Sequence, residues 1–206
     1  MSILLLLLFL LLLNNLLLLG TDRLAGMNKL VAVQGCLLAA LLISLDHLLI
    51  GAAILLIKGV GLPLLLRRTH LRIGAPSSVP PHLPYAAAVL AGMIGLVFAL
   101  WLEKQLPLPQ GFFPPFLLAT ALSTLFSGLL LVIGRASALS QVMGYLVTEN
   151  GIFLLGTPLM SAGAVWFELT LLLDLFVAVF VMGIAINHIS SKFETIDVGR
   201  FRSLRD

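Results

Sequence analysis

The chain has 206 residues, of which 60% are hydrophobic and only 10% are charged. Its mean hydropathy is +1.14. A composition this apolar excludes a soluble globular domain and a disordered chain, and it is typical of an integral membrane protein. The single cysteine, Cys36, excludes an internal disulfide and a multi-cysteine metal site.

The charge balance indicates a membrane rather than a nucleic-acid partner. The formal net charge is +3 and the isoelectric point is near 9.4. The basic residues, however, lie singly or in small groups beside apolar runs, as membrane-topology signals do. We therefore expect contact with a lipid bilayer and no nucleic-acid partner.

The apolar runs predict a bundle of about seven transmembrane helices. A hydrocarbon core about 30 Å thick requires roughly 20 apolar helical residues, and a helix satisfies its backbone hydrogen bonds without help from lipid. The prediction is one all-α domain over residues 1–189, followed by a cytoplasmic interfacial tail over 190–206. The spans lie at about 3–20, 27–45, 47–66, 84–102, 112–134, 139–157 and 165–189.

Three connections have individual signatures. The first run has no basic residue before it and is too long for a signal-peptide core, so we expect a retained span. Only one or two residues, at Asp46 and His47, separate the second and third runs, which predicts a tight helical hairpin or a re-entrant element. Prolines and small polar residues over 67–83 predict irregular structure there.

Loop charges set the predicted orientation, because lysine and arginine collect in cytoplasmic loops. Seven spans place ten of the twelve basic residues on one side of the membrane: Arg23, Lys29, Arg67, Arg68, Arg72, Arg135, Lys192, Arg200, Arg202 and Arg205. Lys104 lies on the other side, and Lys58 lies inside the third span. We therefore place the N-terminus outside and the C-terminus in the cytoplasm.

Three charged residues lie well inside the predicted spans. Lys58 is midway along the third, Glu149 midway along the sixth, and Asp174 about a third of the way down the seventh from the outer side. Each costs on the order of 2.5 to 3.5 kcal/mol at a helix centre on insertion scales, so each requires a partner or a function. Glu168, near the outer end of the seventh span, can reach the interface.

Polar residues accompany the charge of the sixth span. Helical periodicity places Gln141, Tyr145 and Thr148 on the Glu149 face, which predicts a polar stripe turned away from lipid.

Small residues mark two other spans. Gly51 and Gly61 lie on the Lys58 side of the third span, where we expect another helix backbone to approach closely. The fifth span carries four small hydroxyl residues on one side: Thr120, Ser123, Thr124 and Ser127.

Two interpretations of the buried charges stay open. In the first, Lys58 pairs with Glu149 or Asp174 as a neutral ion pair that fixes helix packing. In the second, these residues relay protons, as intramembrane ionisable residues in pumps do. The polar stripe exceeds what one ion pair needs and favours the relay, for which the candidates are Glu149, Asp174, Lys58, Tyr145 and Glu168.

Other chemistry has little support in the sequence. The four histidines, His47, His70, His82 and His188, are scattered among loops and helix ends, which disfavours a haem or zinc site. No serine nucleophile motif or phosphate-binding loop is present. We expect no catalytic, cofactor-binding or metal-binding residue in this chain.

Three segments together resemble a known family. They are LLIKGVGLPLLL around Lys58, MGYLVTENGIFLLG around Glu149, and DLFVAVFVMGIAINHISSKFETIDVGRFRSL from Asp174 onward. They are similar to the membrane component E of hydrogenase-4 and formate hydrogenlyase-type complexes. The Glu-Asn-Gly stretch of the sixth span is the most specific of these features.

The resemblance implies a non-catalytic subunit of a respiratory hydrogenase-4-like or complex I-related complex. It implies the inner membrane of a prokaryote, antiporter-like subunits as neighbours, and iron–sulfur clusters with a possible nickel–iron centre in partner subunits. The last three spans would be related to the K-type subunit of complex I and the C-type subunit of Mrp antiporters. The transported ion, proton or sodium, stays open.

Two alternatives to ion translocation within such a complex follow from the same residues. One is a purely structural subunit that seals and spaces the membrane arm. The other is an independent ion transporter, which is less well supported because the chain shows no inverted repeat.

The predicted orientation can be tested by cysteine labelling of intact cells. In a Cys36→Ser background, a membrane-impermeant reagent should modify Lys104→Cys and spare Arg72→Cys and Arg202→Cys, because the loop charges place Lys104 alone outside. Labelling at position 202 together with protection at position 104 would contradict the seven-span arrangement.

Overall fold

The computed structural model describes residues 2–73, 82–106 and 114–158, together with residues 174, 177, 179–181 and 183. Glu168, most of the predicted seventh span and the tail 190–206 lie outside the described residues. The elements are α1 (Ser2–Gly20), α2 (Leu24–Ser44), α3 (Leu48–Ile54), a π-helical segment (Leu55–Gly61), α4 (Leu62–Ile73), α5 (Tyr85–Gln105), α6 (Leu117–Gly134) and α7 (Ala138–Gly156). The described residues from 174 to 183 are helical as well and are called the last helix.

The helices have the length and composition of membrane spans. Among the described residues, five helical stretches are long and apolar enough to cross a bilayer: Ile3–Gly20, Leu24–Ser44, Leu48–Leu71, Tyr85–Gln105 and Leu117–Gly134. The 19-residue α7 has the length of a span and carries more polar side chains. The prediction of an all-α membrane-spanning bundle is confirmed.

The third span contains a change of helical winding. Its α3, π-helical and α4 parts follow one another without a break. The π winding ends just before Pro63, which has no N–H to donate to the carbonyl of Gly59 and whose ring crowds that carbonyl. The helix then continues to Ile73. The expectation of irregular structure from residue 67 is wrong for this stretch, because glycine and proline interrupt the sequence only from Gly74 onward.

The connection between α2 and α3 is a tight hairpin rather than a re-entrant element. The turn consists of Leu45, Asp46 and His47, and Asp46 adopts a left-handed conformation with φ of 65°. Helix α2 then packs against α3, the π-helical segment and α4 in turn. Gly51 lies against α2, where an added Cβ would be 3.0 Å from the carbonyl oxygen of Ala39.

The two ends of the bundle are fastened by different charged side chains. At one end Arg135 donates to the carbonyl oxygens of Leu19 and Thr21, each at 2.9 Å, and lies over the Tyr85 ring. At the other end Glu103 accepts hydrogen bonds from backbone N–H groups at the start of α6. The first end carries the α1–α2 connection, the start of α5 and the end of α6, as an up-and-down arrangement requires. Which end is cytoplasmic stays a prediction.

The apolar core is divided into two halves. One cluster surrounds Leu19, Met27, Leu66 and Val147, and the other surrounds Leu11, Leu41 and Ile54 among its members. Between them lies a layer of buried polar side chains at the middle of the helices: Asn14, Asn15, Gln34, Lys58, Thr124, Glu149, Asn150 and Asp174. This polar layer contains Lys58, Glu149 and Asp174, the charged groups of the candidate site.

Glycines set the closest approach of α6 and α7. An added Cβ on Gly128 would collide with the backbone nitrogen and hydroxyl of Thr148. A Cβ on Gly144 would lie 2.8 Å from the backbone nitrogen of Val132. Small residues at such crossings let helices meet through their backbones, which is the usual packing mode within a membrane.

We expect Gly128→Ala to lower the free energy of unfolding by about 1 to 3 kcal/mol, because the new methyl group pushes α6 and α7 apart. The measurement is the thermal unfolding of the purified chain in detergent. Gly20→Ala is the matched control, since its Cβ would meet only the Val89 side chain at 3.5 Å. Equal effects of the two substitutions would contradict the close contact at Gly128.

Candidate functional site

The site is built around Lys58, which lies in the middle of the π-helical segment and is 3% exposed. Helix α2 passes directly beside its backbone at Gly35, where an added Cβ would be 2.6 Å from the Lys58 carbonyl. The predicted role of Gly61 in this approach is wrong, since Gly61 is exposed. The lysine is therefore held deep in the bundle by a glycine on the neighbouring helix.

Three oxygen atoms surround the Lys58 ammonium. Its Nζ donates to Glu149 Oε1 at 2.5 Å and to Asn150 Oδ1 at 3.1 Å, both on α7. Asp174 Oδ1 on the last helix lies 3.5 Å away as a second ion-pair partner. The Phe153 ring centroid lies 5.9 Å from Nζ. The structure thus brings together Lys58, Glu149 and Asp174, from three separate helices.

The cluster has one cation and two carboxylates, all buried. With every group ionised it would carry one net negative charge, and isolated buried charge is strongly unfavourable. One proton shared between Glu149 and Asp174 makes the cluster neutral. Among the described residues, neither Glu149 Oε2 nor Asp174 Oδ1 accepts a hydrogen bond, so each carboxylate has an oxygen available to such a proton.

The polar stripe predicted on α7 does not form the surroundings of Glu149. Gln141 is exposed and donates to the carbonyl of Arg135, while the Thr148 hydroxyl donates to the Gly144 carbonyl of its own helix. Tyr145 and Thr148 are both half-buried, and Tyr145 lies one turn before Glu149.

A cavity of about 260 Å³ opens between the first half of α7 and the last helix. Tyr145 lines it together with Gln141, Val177 and Phe180, among others. Tyr145 is one helical turn from Glu149. The cavity therefore lies on the side of the Lys58 cluster at which α7 begins.

The polar partners of the cluster are amides that sequence reasoning missed. Asn150 Nδ2 donates to Gln34 Oε1 at 3.0 Å, and Gln34 Nε2 donates to Asn15 Oδ1 at 2.8 Å. Asn15 Nδ2 in turn donates to Thr124 Oγ1 at 2.8 Å. We call Asn150, Gln34, Asn15 and Thr124 the amide ladder. It connects α7, α2, α1 and α6 in that order.

A signal for the ladder was present in the sequence. Asn15 interrupts a run of leucines, and Gln34 lies near the middle of α2 among small and apolar neighbours. Uncharged polar side chains at that depth also require partners. The fifth-span hydroxyl residues are buried as a group, and Thr124 is the one that accepts from Asn15.

Among the described residues, no three His, Cys, Asp or Glu side chains lie close enough to hold a metal ion. His188 lies outside the described part of the chain.

Comparisons with known proteins agree with the resemblance of the three segments. No family model matches the chain, and no solved structure matches it. Hydrogenase-4 component E proteins of Escherichia coli and Shigella flexneri are 30% identical to it over 182 residues, covering 86% of this chain and 80% of theirs. The predicted family is therefore confirmed: the chain belongs to the hydrogenase-4 component E family.

Proposed function

We propose that this chain is a non-catalytic membrane subunit of a hydrogenase-4-like, complex I-related redox complex, in which the Lys58 cluster takes part in proton translocation. The name of the relatives, a component of hydrogenase-4, supports membership of a multi-subunit assembly. In this proposal the iron–sulfur clusters and any nickel–iron centre belong to partner subunits, and the assembly lies in the inner membrane of a prokaryote.

One observation carries the proton role: a single buried ammonium faces two buried carboxylates. A lysine and one acid would suffice for a neutral structural pair. The second acid gives the cluster a place for one exchangeable proton, because the same ammonium stabilises whichever carboxylate is ionised. Intramembrane carboxylates in such settings are the usual carriers of protons.

In this proposal the proton reaches Glu149 from the side on which Tyr145 lies. Glu149 Oε2 is unused by the described residues, and Tyr145 lies between Glu149 and the 260 Å³ cavity along α7. A tyrosine hydroxyl both donates and accepts, so it suits a position at the mouth of such a route. By the predicted orientation, the cavity faces the cytoplasmic half of the membrane.

The outer surface fits a subunit surrounded by lipid and other membrane proteins. Of the five apolar spans in the described part of the chain, helix α5 is the least buried. It exposes large apolar side chains: Leu90, Met93, Ile94, Val97, Phe98 and Trp101. Antiporter-like subunits and acyl chains are the proposed neighbours of such surfaces.

A structural spacer is the second candidate, favoured by how completely the lysine is enclosed. The Lys58 ammonium donates to oxygens of Glu149 and Asn150, and the Asp174 carboxylate lies 3.5 Å away as an ion-pair partner. Fixing the register of the helices is a sufficient role for a buried charge network of this kind. The two candidates differ in what charge-removing substitutions do.

We expect Glu149→Gln to assemble into its complex and to reduce proton translocation by about tenfold or more, because glutamine keeps the size and hydrogen bonding but carries no exchangeable proton. The measurement is proton uptake into vesicles, normalised to subunit content on a native gel.

Glu103→Gln is the matched control for this experiment. Glu103 is also a carboxylate bound to protein donors, the N–H groups of Phe116 and Ala119 at 2.8 Å, but it lies outside the polar layer. It should keep wild-type proton uptake. Wild-type proton uptake by a fully assembled Glu149→Gln complex would contradict the proton relay and favour the structural spacer.

We expect Lys58→Met to lower the free energy of unfolding by about 3 to 5 kcal/mol, because it leaves two buried carboxylates without their cation. The Lys58→Met/Glu149→Gln pair should recover a large part of this loss, since it also removes one of the acids. Detergent unfolding of both variants is the measurement. A Lys58→Met variant as stable as the wild type would show that the ion pair contributes nothing to the free energy of unfolding.

A further inference from the structure

The amide ladder has a single direction along its whole length. At each step the nitrogen of one amide donates to the oxygen of the next residue, from Asn150 through Gln34 and Asn15 to Thr124. All four side chains are at most 2% exposed. A chain of hydrogen bonds with one polarity strengthens each of its members, so the ladder acts as a unit.

The far end of the ladder fixes this direction. The Thr124 hydroxyl has one hydrogen, which it donates to the backbone carbonyl of Thr120 at 2.7 Å. Its oxygen can therefore only accept from Asn15, which must present its NH2 group. The Asn15 oxygen is then left to accept from Gln34, and the same reasoning repeats at the next amide.

The near end demands the same direction independently. A lysine ammonium has three donors and no acceptor, so the side chain facing it must present an oxygen. Asn150 does so at 3.1 Å while its NH2 group binds Gln34. The two ends agree although Lys58 and Thr124 lie on different helices and share no contact within the ladder.

We propose that Thr124, Asn15 and Gln34 are positioning residues: through their one-directional ladder they hold the Asn150 oxygen toward Lys58 and keep the lysine as a fixed donor to Glu149 and Asp174. In this arrangement the lysine supplies constant positive charge. The exchangeable proton belongs to the two carboxylates, so this inference deepens the proposed function and rests on it for its effect on pumping.

The ladder also closes the site on one side. Side-chain amides do not ionise, and their donor and acceptor atoms are different atoms, so they cannot pass a proton along. The chain of donors ends on the Thr120 carbonyl within α6. The ladder itself therefore carries no proton through α1 and α6.

Two neighbouring threonines provide a matched test of the ladder. Thr124 and Thr120 are both fully buried on α6, one turn apart, and each hydroxyl donates to a carbonyl of its own helix. Only the Thr124 hydroxyl accepts from Asn15 among the described side chains. Thr120→Val keeps the backbone carbonyl that Thr124 uses, so Thr124→Val breaks the ladder and Thr120→Val leaves it intact.

In vesicles containing the assembled complex, we expect Thr124→Val to reduce proton uptake several-fold and to shift its pH profile. Thr124→Ser, which restores the acceptor, should return both to wild type, and Thr120→Val should change neither. The groups whose titration this profile would report are Glu149, Asp174 and Tyr145 around Lys58. A Thr124→Val complex with the wild-type profile would overturn the positioning role.

A double-mutant cycle tests the ladder without relying on pumping. Substitutions far apart with no shared partner normally have additive effects on stability. If the ladder joins Thr124 to Lys58, Thr124→Val should shift the unfolding temperature by less than half as much in a Lys58→Met background as in the wild type. Full additivity would overturn the ladder as a connected unit.

A second cycle covers the case in which Lys58→Met does not fold. Thr124→Val combined with Gln34→Met should again show less than the sum of the single shifts, because Gln34→Met has already interrupted the ladder; additive shifts would overturn it. Non-additive cycles together with wild-type pumping by Glu149→Gln would refute the proton role and keep the ladder.

Discussion

The enclosure of one ammonium group in the middle of the bundle is the constraint on which the rest of the site depends. Lys58 cannot reach water from its position, so protein oxygens must replace its hydration. Glu149 and Asn150 do this from α7, and Asp174 does it from the last helix. Helix α2 must come close enough to seal the fourth direction, which only the missing side chain of Gly35 permits.

The polar layer also explains how the helices find their register. Apolar helices gain little from meeting one another in lipid, because lipid tails are as apolar as leucine. The two apolar halves of the core would tolerate sliding. The hydrogen bonds of the polar layer do not tolerate sliding, since a shift by one helical turn would leave Lys58, Gln34 and Asn15 without partners in hydrocarbon. Stability and register are therefore supplied by different parts of the same interior.

The sequence predicts the helical class, the family and the three charged residues, because each charge within a span is visible by itself. It does not predict which amides meet. Gln34 and Asn150 are 116 residues apart, and no periodicity within one helix reveals a partner on another. The predicted polar stripe on α7 is wrong for the same reason. Helical periodicity shows which side chains share a face, but tertiary packing decides which of them are buried, and here Gln141 is exposed and Asn150 is buried. Pro63 is a local sequence signal for the π-helical winding at Lys58. The burial of Lys58, however, depends on the close approach of α2.

The spacer and relay interpretations make different use of the same rigidity. A ladder anchored at Thr124 reaches Lys58 through Asn150, and none of its four side chains ionises. The opposite side holds both acids, an unused oxygen of Glu149 and a cavity. A purely structural layer would gain from closing both sides equally, because unsatisfied buried oxygens cost free energy. The proposed relay fits this difference between the two sides, because an uncharged, hydrogen-bonded ladder lies on one side of Lys58 and the two acids lie on the other.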